Sequence, residues 1–207
     1  RLSDCQAASA RRAGELGPRD VANCSWALGS LRAHGPEAAQ AWCALGERTV
    51  AVASSFNPQD IANTLWAFAA ARARHAGLSR VLCEAALDQG AAFNVQNITN
   101  SLWSLATLGE PHGPFIRAMC REVRARGCAL GRRNAASTMW ALAEMSVEDP
   151  GLLEALGREA TWAGGEPGPQ AVAGSLWALA TAGLAPRDCL GALCAAGVAI
   201  STMVQLA

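Results

Sequence analysis

The sequence predicts an all-α protein, an α-solenoid of about five two-helix repeats with a 37-residue period, occupying residues 1–207 as a single repeat domain. Three observations predict it. Trp26, Trp66, Trp103, Trp140 and Trp177 stand 40, 37, 37 and 37 residues apart. Each occupies the same frame: DVANCSWALG, DIANTLWAFA, NITNSLWSLA, NAASTMWALA and AVAGSLWALA. Recurrence at that length and in that detail is the signature of a repeat architecture. Between the frames runs a second helical pattern bounded by Gly and Pro. Each period then closes as a helical hairpin, and stacked hairpins at this period form a solenoid.

Each frame reads as the first helix of its pair. Asp20, Asp60, Asn97 and Asn134 lie six residues before their Trp and are expected as N-caps. A short side-chain oxygen there accepts from the free N–H groups of the first turn. GPRD, NPQD and GPQA just upstream punctuate the chain. Leu16, Phe56, Phe93 and Leu130 recur ten residues before Trp and are expected to pin the incoming chain to the core. On a helical wheel, Val21, Ile61 and Ile98 fall on one side with Leu65, Leu102, Met139, the tryptophans and the Leu or Phe two residues after them. This is the wide apolar stripe of an amphipathic helix. The indoles are therefore expected inside, each removing about 150–250 Å² from water.

The second helix of each pair reads from LSRVLCEAALDQG (78–90), FIRAMCREVRARG (115–127), LLEALGREATWAG (152–164) and CLGALCAAGVAI (189–200). RLSDCQAASARRAG at the start matches the same element. The array is thus expected to begin inside a second helix, as a fragment of a longer array or with its ends covered by other chains.

Composition narrows the function. An apolar fraction of 51% supports a large core. The net charge is zero, yet residues 1–133 hold 15 Arg against 10 acids and residues 134–207 hold 2 Arg against 7. A uniformly basic nucleic-acid binder is excluded, whereas a local basic patch is not. No apolar run reaches the roughly 18 residues of a membrane span, so no membrane insertion is expected. Cys5, Cys43, Cys83, Cys120 and Cys194 read as one second-helix position, held by Gly157 in the fourth repeat, and so as small core residues. His34, His75 and His112 fall in the loops between paired helices. There is no C-x-x-C, G-x-S-x-G, P-loop, H-E-x-x-H or G-x-G-x-x-G. The expectation is a protein without enzymatic activity, with no catalytic residue, no metal and no cofactor.

The frame, strongest in QDIANTLWAFA and QNITNSLWSLA, resembles the heptatricopeptide repeats, close kin of the octotricopeptide repeats. These occur in organellar RNA-binding proteins such as FAST-kinase-domain relatives and RAP-domain proteins. The resemblance covers essentially all of residues 1–207. It implies a two-helix solenoid that binds RNA in mitochondria or plastids and acts in RNA processing, stability, translation or ribosome assembly. Ser137 and Gly174 replace the recurring Asn in the last two frames, and Ala171 replaces the expected cap.

Two sets of residues are candidates for RNA contact. Asn23, Asn63 and Asn100 sit three residues before Trp, at the edge of the apolar stripe, and share a polar flank with Thr64, Ser101 and Thr138. In a solenoid these form a ladder able to bond the edges of unstacked bases, one repeat per nucleotide. The alternative is structural, with Asn bonding the cap backbone or the next helix. Phosphate contacts fall to Arg117, Arg121, Arg124, Arg126, Arg132 and Arg133. The first three share one helix face, and the last two directly precede Asn134, where a helix N-terminus favours an anion. One phosphate is therefore expected near residues 124–134. The competing partner is protein, with the chain as an adaptor in a large organellar assembly such as a ribosome.

Overall fold

The computed structural model describes residues 12–162 and 169–181, and these are helical with no strand among them. Contacts divide the chain into two compact units, Arg1–Met119 and Cys120–Ala207. The first unit contains α1 (Pro18–Ser30), α2 (Pro36–Val52), α3 (Pro58–Ala71), α4 (Leu78–Ala86), α5 (Val95–Leu108) and the start of α6 (Gly113–Ala125). Within it, α3 packs on α1 and on α5, and α2 packs on α4. The second unit contains α7 (Arg132–Glu144), α8 (Pro150–Trp162) and α9 (Pro169–Thr181), with α7 packed on both others. In each unit the Trp-bearing helices lie directly against one another. The second helix expected over 189–200, and residues 1–11 of the matching segment at the start, lie outside the described residues.

The Trp-bearing helices begin one turn earlier than the sequence suggests. The N-caps of α3 and α5 are Asn57 and Asn94, not Asp60 and Asn97. Asn57 Oδ1 accepts from the N–H groups of Gln59 (2.9 Å) and Asp60 (3.0 Å), and the Asp60 carboxylate accepts from the Asn57 N–H at 3.4 Å. Asn94 and Asn97 make the same reciprocal pair at 2.8 and 3.2 Å. The expected caps are thus the distal members of capping boxes. Asp20 and Asn134 are likewise interior, because α1 and α7 start after Gly17 and Gly131 with no side-chain cap. Pro18 and Pro58 fit the first helical position because that N–H has no partner anyway.

Helix ends repeat as faithfully as the sequence does. The residue six after Trp26, Trp66, Trp103 and Trp140 is left-handed: Arg32 (φ 47°), Arg72 (φ 52°), Gly109 (φ 68°) and Ser146 (φ 53°). The next N–H closes back on the helix, Ala33 to Leu28 O (3.0 Å), Ala73 to Phe68 O (2.9 Å), Glu110 to Leu105 O (3.0 Å) and Val147 to Leu142 O (2.9 Å). Four helices therefore stop in the same Schellman turn, which satisfies carbonyls that the helix leaves orphaned.

Packing follows small residues and large anchors. A Cβ on Gly29 of α1 would stand 2.8 Å from the Ala67 Cα of α3, so those backbones approach closely only because the position is Gly. Phe56, Phe93 and Leu130 are buried ahead of their helices, as expected, while Leu16 is half-buried. Arg48 Nε donates to Leu16 O (2.7 Å) and Gln89 Nε2 to Phe56 O (3.0 Å), tying the incoming chain to the second helix of its own pair. Trp42 meets Phe68 edge-on at 4.8 Å, and Phe93 meets Phe115 at 5.8 Å. The small second-helix position is Gly46, Cys83, Cys120 and Gly157, all buried and 37 residues apart. Cys43 is exposed and does not belong to this set. Three extra residues between Trp26 and Gly46 shifted the alignment on cysteines by almost one turn. Cys5 and Cys194 lie outside the described residues.

A candidate nucleic-acid interface on the Trp-bearing helices

The Trp-bearing helices are covered on most of their circumference. Counting from Trp, the residues at −5, −2, −1, +1, +2 and +3 are buried in α3, α5 and α7. What stays open is a narrow strip at −7, −3, 0 and +4, which at 100° per residue spans about 60° of the helix. In α1 the strip is Arg19, Asn23, Trp26 and Ser30; in α3 it is Gln59, Asn63, Trp66 and Ala70; in α5 it is Gln96, Asn100, Trp103 and Thr107.

The expectation of buried indoles fails at Trp26 and Trp177 and is met in part at the other three. Trp26 is 51% exposed and Trp177 43% exposed, while Trp66, Trp103 and Trp140 are half-buried. Trp sits at the boundary of the apolar stripe, and its neighbours on the far side, at −1 and +2, supply the core. Leu65, Phe68, Leu102, Leu105, Met139 and Leu142 are all at most 1% exposed. In the second unit, Trp140 and Trp177 lie beside one another with ring centroids 6.4 Å apart.

Asn and Trp at i and i+3 are surface neighbours on a helix. Asn23 is exposed, and Asn63 and Asn100 are half-buried. Among the described residues, no hydrogen bond engages the side-chain amides of these three. The cap contacts that a structural role requires are made by Asn57 and Asn94 instead. Each amide is thus free to offer a donor pair and an acceptor one turn from the indole.

The hydroxyls expected in the ladder point the other way. Thr64, Ser101 and Thr138 are 0% exposed and cannot contact a ligand on the strip. Each directly follows the strip position held by Asn63, Asn100 or Ser137, and 100° of rotation turns it into the buried face. The Oγ atoms of Ser25, Thr64, Ser101 and Ser175 are buried without a hydrogen-bond partner.

The arginines expected to meet phosphate differ in their surroundings. Arg124 bonds Asp149, and Arg126 pairs with Glu122 at 3.4 Å. The bond to Asp149, then its charge, pushes the Arg124 guanidinium up. Arg117 and Arg121 are exposed on α6, a second helix. Arg132 is half-buried. The first turn of α7 is already occupied by acid, since Glu159 accepts from the Gly131 N–H at 3.0 Å, and Asn134 Nδ2 donates to Leu130 O at 3.0 Å. An anion there would meet a carboxylate. Arg133, seven residues before Trp140, is the member of the set that lies on a strip.

Sequence reasoning missed two other cations. Arg32 and Arg72 follow the C-terminal ends of α1 and α3 at equivalent positions, both exposed and neither engaged in an ion pair among the described residues. They stand six residues after Trp, and their shared register was the available signal. A non-glycine residue in the left-handed region pays a conformational cost that recurs here at both positions.

The histidines do local work or none. His34 is exposed, the His75 ring lies where a side chain on Gly46 would be, and His112 Nδ1 accepts from the Phe115 N–H at 3.3 Å. Among the described residues no His, Cys, Asp and Glu group can hold a metal ion, and no helix is long and apolar enough to cross a membrane. No family model matches the chain, and no curated protein matches it.

Proposed function

We propose that this protein is an RNA-binding repeat protein of α-solenoid type that holds single-stranded RNA along its Asn–Trp strips. The observation that carries the reading is the repeated pairing of an indole, exposed at Trp26 and half-buried at Trp66 and Trp103, with an asparagine amide that has no hydrogen bond among the described residues. A base has a π-face and a hydrogen-bonding edge. Indole takes the first, and an amide takes the second. Exposed indoles are costly in water, so a strip that presents one per repeat is suited to a planar aromatic ligand. Arg19, Arg32 and Arg72 at the ends of α1 and α3 supply positive charge for the backbone. The resemblance of the frame to heptatricopeptide repeats supports the same reading, and with it a role in mitochondrial or plastid RNA processing, stability, translation or ribosome assembly.

Fluorescence anisotropy with labelled single-stranded RNA tests it. The expected result is binding that weakens with salt and loses about 1–3 kcal/mol for each indole removed in Trp66→Ala and Trp103→Ala. Thermal melts of the same variants establish that they remain folded. Affinity unchanged in both folded variants would refute the reading. Partners recovered from cells that persist through nuclease treatment would point to a protein adaptor instead.

A further inference from the structure

The strips of the second unit carry different chemistry from those of the first. On α7 the strip is Arg133, Ser137, Trp140 and Glu144, and on α9 it includes Gly174, Trp177 and Thr181. No Asn stands three residues before either Trp. The two indoles lie side by side, with ring centroids 6.4 Å apart and planes inclined at 40°. Trp177 is 43% exposed and Trp140 half-buried. A Cβ on Gly174 would meet no atom within 4 Å, so the space one turn before Trp177 is open. Four residues after Trp, the first unit has Ser30, Ala70 and Thr107, whereas α7 has an acid, Glu144. Residues at i and i+4 are surface neighbours, so this carboxylate stands beside the indole of Trp140. Glu144 is exposed and makes no ion pair or hydrogen bond among the described residues. It is also the last residue of α7, and no basic residue shares its turn. A helix C-terminus carries partial negative charge, where an acid is unfavourable and a cation favourable. Arg133, the cation on the same strip, stands at the opposite end of the helix.

We infer that the second unit binds an arginine side chain of a partner protein, with Trp140 and Trp177 as the stacking surface and Glu144 as the counter-ion. A cation is drawn to the negative face of an aromatic ring, most strongly to that of Trp. Guanidinium is planar and weakly hydrated. It stacks on the ring and keeps its N–H fork for a carboxylate. The ammonium of Lys is a compact, strongly hydrated point charge that cannot do both. The bound charge offsets both the unpaired carboxylate and the negative end of α7. A phosphate backbone is disfavoured on this strip, because Glu144 repels it. The site lies outside the Asn–Trp strips of the first unit and does not depend on RNA binding there.

The test is fluorescence anisotropy of the whole chain with a labelled Gly/Ser peptide carrying arginine, and with its lysine and citrulline counterparts. Citrulline keeps the planar shape and removes the charge. The arginine peptide is expected to bind about tenfold more tightly than the citrulline peptide, and more tightly than the lysine peptide. Glu144→Gln and Trp177→Ala are each expected to erase most of that preference. Glu144→Gln alters an exposed side chain without changing its size, so the loss does not depend on the fate of the core. Its affinity for single-stranded RNA is expected to be unchanged. Equal binding of arginine and citrulline peptides, a lysine peptide that binds as well as arginine, or a preference that survives both substitutions overturns the inference. RNA binding that tightens in Glu144→Gln would place phosphate on this strip and overturn it as well. Self-association of the chain that Glu144→Gln abolishes would name a second copy as the occupant and overturn the assignment to another protein.

Discussion

Adjacent residues in one frame have opposite fates. Leu65 is fully buried and Trp66 half-open, although both are large and apolar. Leu65→Ala is expected to cost about 2–5 kcal/mol, the range for emptying a core site. Trp66→Ala, the larger truncation, is expected to cost less, because part of the indole gains nothing from folding. Urea unfolding of the two variants checks the order, and the reverse order would put the indole back in the core. The buried thiols give a second residue-scale expectation. Burial, and after it the Asp149 carboxylate, pushes Cys120 from 9.0 up to about 11, and burial with nearby Glu84 and Glu110 pushes Cys83 up further. Both thiols stay protonated in the folded chain where the unfolded chain begins to lose its protons. The native state therefore binds more protons above that point, and stability must fall as pH rises. The contribution is intact below about pH 9 and lost progressively towards pH 11 and beyond. Thermal melts should show this decline, and Cys83→Ala/Cys120→Ala should flatten it.

Among elements, close approach between the Trp-bearing helices depends on small residues at specific contacts. Gly29→Val is expected to cost about 1–3 kcal/mol, since its Cβ has no room beside the Ala67 backbone. Gly174→Ala in α9 meets nothing within 4 Å and should gain about 0.5–1 kcal/mol from helix formation. Chemical denaturation of the two variants distinguishes packing from propensity. The elements themselves were legible in the sequence: the helical class and the order of the described helices follow from the recurring frame. Their starts were misplaced because Asp60 and Asn97 serve the cap equally well from inside the first turn. The Pro at 58 was the better marker. The cysteine register failed for a similar reason, as a three-residue insertion hid the true series behind a chance match at Cys43. What could not be read was which edge of a broad apolar stripe remains open. Trp lies on that edge, and only the neighbouring helices decide how much of it they cover.

For the molecule as a whole, the proposed surface differs from the expected ladder in the side chains that stay accessible. The amides of Asn23, Asn63 and Asn100 remained, Thr64, Ser101 and Thr138 turned inward, and the tryptophans took their place. Two of the α6–α7 arginines are held by acids, while Arg32 and Arg72 stand exposed. Net charge near zero fits an interface that relies on stacking for affinity and uses few phosphate contacts. The direct test is to map ultraviolet crosslinks between the intact protein and single-stranded RNA by mass spectrometry. Crosslinks at Trp26, Trp66 and Trp103, on peptides spanning α1, α3 and α5, are the expected result. Crosslinks confined to α6 around Arg117 and Arg121, with the tryptophan peptides unmodified, would contradict it.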